Sequence, residues 1–354
     1  SILKKMRIGN RFISDKHPPL IVGEVSANHG KSLKKIFRII DCASEIGLEA
    51  IKFQTFDLDE MTLNLSQGEF ILKRFSNKKW NNRNLYSLYK DAQLPFEWHK
   101  KIFDRANKKG LICFSSVFDE NSLNFLEKLR CPAYKIASLE NLHYPLIESV
   151  IKKNKPTIIS TGTLNFVEIK NLIKSIKIKK KINSVVIMYC LTEYPAKYKN
   201  LNLNFIKKLK KNKNLIVGFS DHTVDNVASI SAVALGANII EKHFKLFDND
   251  NTLDSEFSIG PKKMEELILG TRNVWESLKN KSENISSDER FYIKFRRSIY
   301  ATKTINKGNI INFSNTKIIR PGLGLSPKLY KKILGKKTNR KIKLGTPIKL
   351  SFIS

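Results

Sequence analysis

Eight short apolar runs recur along this chain, and most are followed by a longer segment of helical period. The runs are Leu20–Ser26, Ala50–Gln54, Leu111–Ser116, Ala133–Ser138, Pro156–Thr161, Ser184–Cys190, Leu215–Ser220 and Asn238–Phe244. Eight strand-then-helix units are what an α/β protein of the (β/α)8 barrel type needs. Such barrels carry their chemistry at the C-terminal ends of the strands. Polar residues stand at those ends: Glu24, Lys52, Gln54, Ser116, Lys135, Glu140, Ser160, His222 and His243.

The runs place the barrel in a first domain over residues 1–280. One connection is out of proportion. Roughly fifty residues separate the second and third runs, far above an ordinary βα loop, and long loops at this end of a barrel build the wall of the site. The last part of this connection predicts a helix, with Pro95 near its start, Gly110 past its end, and Trp98, Ile102 and Phe103 at helical spacing. Residues 281–294 are polar and aperiodic and read as a linker. Residues 295–354 change to short β-like runs split by glycine. A weak repeat, Ile305-Asn-Lys-Gly308-Asn-Ile310 and Ile342-Lys-Leu-Gly345-Thr-Pro-Ile348, suggests two related hairpins in a small β-rich domain. A domain of this size has a small core and gains stability by docking.

Composition narrows the class further. Hydrophobic residues at 41% and aromatics at 10% supply an ample core. No stretch approaches the ~20 apolar residues of a membrane span. The N-terminus lacks the apolar region of a secretory signal, so the expectation is a cytoplasmic protein without a membrane partner. The chain begins at Ser1, and Met6 is a plausible native start. The net charge of +32 comes from lysines spread through predicted helices and loops. No recognition module or interleaved stacking aromatics accompanies them, so they read as a solvated basic surface and not a nucleic-acid groove. Cys42, Cys113, Cys131 and Cys190 form no C-x-x-C pair, which argues against a disulfide framework or a thiolate zinc site.

Strand alternation sorts the polar residues by face. Glu24 pairs with Ser26, Lys52 with Gln54, and Glu241 with His243, while Lys242 takes the opposite face. A lysine on an apolar strand is costly unless it stands at the strand end with an anionic partner. Lys52 and Lys135 both fit that description, and two fixed ammonium groups suit a ligand carrying phosphate and carboxylate. Hydroxyls at Ser116, Ser138 and Ser160 can complete the anion's hydrogen bonds. The alternative is a pair of surface lysines at frayed strand ends. His222 and His243 end the last two strands, close enough to share a metal with positions left open for water or substrate. The alternative there is a hydrogen-bonded structural pair. His17, His99 and His143 are expected as surface or loop residues, and His29 as a residue of the barrel mouth.

With these residues in view, the chain resembles the nonulosonic (sialic-type) acid synthases over nearly its whole length. The matching motifs are "GEVSANHGKSL", "IKFQTF", "PAYKIAS.E", "STG", "GFSDHT" and "EKHF", in order. The C-terminal "IIRPGLGLSP" is similar to the antifreeze-like (SAF, β-clip) domain of that family. "YKDAQLPFEWHKKIF", "CFSSVFDENSLNFL", "FRRSIY" and "TLDSEFS" are most similar to its pseudaminic acid synthase branch. The resemblance implies condensation of phosphoenolpyruvate with an open-chain amino-deoxy hexose and loss of phosphate. It implies that Lys52, Lys135, Ser116, Ser138 and Ser160 hold phosphoenolpyruvate. His222 and His243 would bind Mn2+ or Mg2+, and Gln54, Glu140, Tyr194 and Asp254 would contact the sugar. Glu24 would be the general acid/base. Arg320 would reach across a homodimer into the partner's site from a swapped C-terminal domain. The chain departs from the family pattern at Lys31, where glycine is usual, at Thr163 in "STGT", and in the loose match of "YCLTEYPAKYKN". Rival readings are an N-acetylneuraminate or legionaminate synthase, a Schiff-base aldolase using Lys52 or Lys135, and a non-catalytic glycan- or ice-binding protein.

Overall fold

A computed structural model describes residues 6–75, 77–178, 184–279 and 282–354. The chain divides into two compact units, Ser1–Asn280 and Lys281–Ser354.

The first unit opens with an antiparallel hairpin that the sequence reading missed, β1 (Met6–Ile8) and β2 (Arg11–Ile13). Eight parallel strands follow: β3 (Leu20–Glu24), β4 (Ala50–Thr55), β5 (Ile112–Val117), β6 (Tyr134–Ile136), β7 (Thr157–Ser160), β8 (Val185–Cys190), β9 (Ile216–Asp221) and β10 (Ile239–His243). Neighbours in sequence are neighbours in space, and β10 pairs with β3 to close the barrel. Each strand falls within or beside its apolar run, because a strand walled by helices outside and by packed side chains inside is buried on both faces.

Helices α1 (Leu33–Glu45), α2 (Leu58–Met61), α3 (Leu85–Ala92), α4 (Phe96–Lys108), α5 (Glu120–Lys128), α6 (Tyr144–Lys152), α7 (Phe166–Ile178), α8 (Asn204–Lys210) and α9 (Val227–Ala234) lie between the strands, and α10 (Pro261–Lys279) follows the last one. Their starts follow local chemistry. The Ser32 and Asp119 side chains accept the Lys35 and Ser122 amides and so satisfy open donors at the first turns of α1 and α5. In α1, Ile36, Ile39, Ile40 and Ala43 form the buried stripe. Helix α4 spans the interval expected for it. His99 on this helix, expected as a surface residue, is fully buried. It stands at helical spacing with Ile102, Phe103 and Ala106, and its ring meets Thr55 Oγ1 at 2.8 Å and the Pro95 carbonyl at 3.0 Å.

In the second unit, β11 (Ser298–Ala301) and β12 (Thr316–Ile319) form an antiparallel pair over a core of Ile299, Ala301, Ile305, Ile311, Ile333, Ile342 and Ile348. A short helix α12 (Tyr330–Ile333) packs Ile333 into that core. Gly308 and Gly345 both take positive φ, as their places in the repeat require. The repeats do not close as separate hairpins, however. Ile305 and Ile342 exchange both backbone hydrogen bonds with each other at 2.8 Å. The segment read as a linker also holds structure, helix α11 (Ser287–Phe291), whose first turn is closed by Ser286 accepting the Glu289 amide. The Ser-x-x-Glu spacing of a capping box carried that signal. Among the described residues, no helix is long and apolar enough to cross a membrane.

Candidate active site

The C-terminal ends of the strands converge on a cavity of about 620 Å3. Twelve residues expected at the site line it: Glu24, Lys52, Gln54, Ser116, Lys135, Ser138, Glu140, Ser160, Tyr194, His222, His243 and Asp254. Arg320 lies in the second unit, exposed, just past β12. A second cavity, of about 730 Å3, opens near Gly9, Gly110 and Arg130 at the N-terminal ends of β5 and β6, the face of a barrel that serves stability and not chemistry.

The floor of the site is a buried charge network. Lys52 Nζ stands 2.6 Å from Glu24 Oε2 and donates to Ser116 Oγ at 2.7 Å. Lys135 Nζ donates to both oxygens of Glu241, at 2.9 and 3.0 Å. Lys52 also approaches Glu241, at 3.7 Å, and Ser220 donates to it at 2.9 Å. Gln54 donates to Glu24 at 3.1 Å. The register produces this convergence: Glu24 is level with Lys52, and Ser116 with Lys135.

Glu241 was the residue that sequence reasoning left out of the site. Its shared face with His243 was the available signal. Burial opposes its charge, but Lys135 and Lys52 outweigh that and hold it well below the usual carboxylate range. Glu24 goes the other way: burial dominates and raises it to about 7, against the pull of Lys52. Burial works against the Lys52 ammonium too, yet Glu24 and Glu241 raise its pKa on balance. Lys52 is therefore held as an ammonium group and not as a free amine.

Above this floor, on the β6–β8 side, stand hydroxyl groups. Ser138 Oγ accepts the Gly162 amide at 3.2 Å. A Cβ at Gly162 would fall 2.0 Å from Thr192 Oγ1 and 2.4 Å from Ser138 Oγ, so the backbone approach there requires glycine. Among the described residues, the buried Ser160 Oγ and Thr192 Oγ1 find no hydrogen-bond partner, and neither does Glu140 Oε2. Burial raises Glu140 to about 7. Unsatisfied polar atoms gathered in one cavity are what a polar ligand would satisfy.

The two histidines sit above the floor with ring centroids 5.4 Å apart. His222 Nδ1 is paired with the Leu191 carbonyl at 2.9 Å, while His243 Nδ1 has no hydrogen-bond partner among the described residues. Burial lowers His222 to about 4 and His243 well below its ordinary value, so both rings are neutral. Behind them the buried Lys242, on the outer face of β10, donates to Asp221 at 2.9 Å and to the Thr223 and Asp225 carbonyls. Among the described residues, no three His, Cys, Asp or Glu side chains converge closely enough to hold an ion by themselves. A metal here would need water or substrate to complete its shell.

Asp254 accepts from Ser26 Oγ and from the Ala27 amide, which fixes the exit of β3, where Ser26 has a φ of 46°. His29, expected at the mouth, is instead buried beside the end of α3. Its ring meets the Ala92 carbonyl at 3.1 Å, and burial lowers it to about 4. Lys31, the departure from the family's glycine, takes a φ of 56°, the backbone region that favours glycine.

A parallel barrel with two clamped lysines, hydroxyls beside them and two neutral imidazoles above is an arrangement that can bind a small anion, as a barrel enzyme does at the C-terminal ends of its strands. The chain belongs to the NeuB family, whose profile matches residues 39–283, and a SAF domain matches residues 296–354. It is 38% identical to a pseudaminic acid synthase of Campylobacter jejuni, covering 98% of this chain and 99% of that one. An N,N'-diacetyllegionaminic acid synthase of C. jejuni is 31% identical, over 90% and 95% of the two chains. The crystal structure of an N-acetylneuraminic acid synthetase from Leptospira borgpetersenii, in complex with citrate, superposes with a TM-score of 0.71 at 29% identity, covering 82% of this chain and 95% of that one.

Proposed function

We propose that the chain is a pseudaminic acid synthase. This transferase condenses phosphoenolpyruvate with open-chain 2,4-diacetamido-2,4,6-trideoxy-L-altrose, with C–O cleavage and phosphate release. The observation that carries the reading is the likeness to pseudaminic acid synthase over nearly the full length of both chains. The charged floor supports it physically.

Lys52 and Lys135 bind the phosphate and carboxylate of phosphoenolpyruvate, with Ser116, Ser138 and Ser160 as hydroxyl donors. Fixed ammonium groups in a buried site act without reorganising as charge shifts in the substrate. C3 of the enol attacks the aldehyde carbon and forms the new C–C bond. The aldehyde oxygen takes a proton from Glu24. Water adds to the cation left at C2 and returns a proton to Glu24. The C–O bond to phosphate then breaks, the remaining hydroxyl proton leaves with it, and the C2 ketone forms. Glu24 adjoins both Lys52 and Gln54, where one carboxyl group can serve both transfers. Gln54, Glu140, Tyr194 and Asp254 orient the sugar.

The histidine pair fits a divalent ion, Mn2+ or Mg2+. Both rings are neutral, and the unpartnered His243 Nδ1 is a ready ligand atom. When bound by His222 and His243, such an ion supplies Lewis-acid polarisation of oxygen ligands. We further infer a homodimer in which each SAF domain is swapped onto the partner's barrel and brings Arg320 to the sugar. The reaction is assigned to the cytoplasm, the compartment that supplies phosphoenolpyruvate.

Phosphate release measured with a panel of amino sugars tests the reading. The trideoxy-altrose should far outrun N-acetylmannosamine and the legionaminate precursor. The better acceptor decides among the three synthases, and phosphate release with none of them overturns the reading.

A further inference from the structure

The cavity changes character with height. Its floor is ionic, but the wall contributed by residues 56–95 is apolar or aromatic except at Arg74, which is solvent exposed. Trp80 is part of that wall. Its indole lies 5.7 Å from Phe75, 5.6 Å from Tyr194 and 6.0 Å from Phe257, centroid to centroid. Tyr194 in turn stacks on His222 at 4.1 Å, and Phe257 meets His243 edge-on at 4.8 Å. Trp80 is thus one ring layer beyond the imidazoles, with Tyr194 and Phe257 between.

The segment that carries Trp80 is tied to the barrel. Asn77 Nδ2 donates to the Leu253 carbonyl at 2.8 Å. Lys79 Nζ donates to the Thr252 carbonyl at 2.6 Å and to Ser255 Oγ at 3.0 Å. These bonds reach the loop after β10, which also carries Asp254 and Phe257. The wall is a preformed surface, and side chains fixed in this way can discriminate between ligands.

We propose that Trp80 is the specificity-determining residue for the acceptor end remote from the aldehyde, and that its wall selects a methyl terminus over a hydroxymethyl one. The proposal rests on the synthase reading, which puts the aldehyde carbon over the lysine floor. The far end of the acceptor then extends past the imidazoles to the ring layer. A hydroxymethyl group there gives up bonds to water against Trp80 and the buried Leu72. A methyl group gives up none and removes apolar surface from water.

The test uses the full chain and two acceptors, both 2,4-diacetamido aldehydes of the same stereochemistry, one with a C6 methyl and one with a C6 hydroxymethyl. In the wild type, kcat/KM should favour the methyl acceptor by ~10- to 100-fold, the range an apolar pocket achieves for so small a change. Trp80→Ala should bring the ratio close to unity by lowering the methyl acceptor more. Trp80→Phe, which keeps an apolar ring, should retain most of the ratio and guards against a folding defect. A wild-type ratio near unity, or a ratio unchanged in Trp80→Ala, overturns the proposal while leaving the synthase reading intact. Failure of both acceptors in the wild type overturns the synthase reading and this proposal with it.

Discussion

The Lys135 ammonium is held by both carboxylate oxygens of Glu241, at 2.9 and 3.0 Å, in a site from which water is almost excluded. Glu241 also stands 3.7 Å from Lys52, so one carboxylate holds two ammonium groups together at the barrel floor. Removing one partner of such a buried pair leaves the other charges uncompensated. Glu241→Gln should therefore lower stability by about 3–5 kcal/mol. Phosphoenolpyruvate carries the missing negative charge, and it should raise the melting temperature more in the variant than in the wild type. Thermal melts with and without the ligand check both statements, and an equal ligand shift in the two proteins would contradict the anion assignment.

The same clamp decides between synthase and aldolase chemistry. An amine nucleophile must lose its proton, and Glu24 and Glu241 keep Lys52 protonated. Borohydride added with pyruvate or with the aldehyde should trap no adduct on Lys52 or Lys135. Lys135→Ala should abolish phosphate release while the circular dichroism spectrum persists. A reduced adduct on either lysine, found by peptide mass spectrometry, would restore the aldolase.

The barrel was legible because its strands are uniformly apolar and end in polar residues. Alternation then assigned faces correctly, with Lys242 outside and Glu241 and His243 inside. Partnership across strands was not legible. Glu241 belongs to the site because β6 and β10 face each other across the barrel, and no local pattern encodes that distance. His99 and His29 were misjudged for a related reason. Their burial depends on neighbours far along the chain, Thr55 in β4 for the one and Ala92 in α3 for the other. The aromatic wall lay within the connection expected to flank the site, but its ring contacts with Tyr194 and Phe257 join segments more than a hundred residues apart.

Glu140 should make stability depend on pH. Burial raises its folded pKa to about 7 from an ordinary 4.5. Between these values the native state binds more protons than the unfolded chain, so stability falls as pH rises from about 4.5 to about 7 and levels off above. The slope contributed by one group is at most ~1.4 kcal/mol per pH unit. Glu140→Gln removes this contribution. The difference in denaturation free energy between wild type and variant should therefore change mainly across pH 4.5–7 and flatten above about pH 8. Parallel curves at all pH values would show that Glu140 ionises normally.

The histidine pair predicts metal dependence. Chelator should remove activity, and Mn2+ or Mg2+ should restore it. His222→Ala or His243→Ala should weaken Mn2+ binding, read directly by electron paramagnetic resonance of the free ion, by tenfold or more. His243→Ala should cost less stability than His222→Ala, since His243 Nδ1 gives up no hydrogen bond among the described residues while His222 Nδ1 gives up its bond to the Leu191 carbonyl. Full activity in chelator would refute the assignment.

The last prediction concerns assembly. The SAF unit has a small core of seven buried residues, so docking on a neighbour would add stability that it lacks alone. Arg320 is exposed at the end of β12, where its planar fork can serve a polar ligand. In a two-fold dimer with exchanged SAF domains, Arg320 and Lys135 of one active site come from different chains. Arg320→Ala and Lys135→Ala should each be inactive alone. Mixed under conditions that exchange subunits, they form dimers in which one barrel keeps its own Lys135 and receives an intact Arg320. Activity should then return to about a quarter of the wild-type level at equal mixing, from the random pairing of two-fold dimers. Mixed dimers detected by native mass spectrometry without any return of phosphate release would assign Arg320 to its own chain.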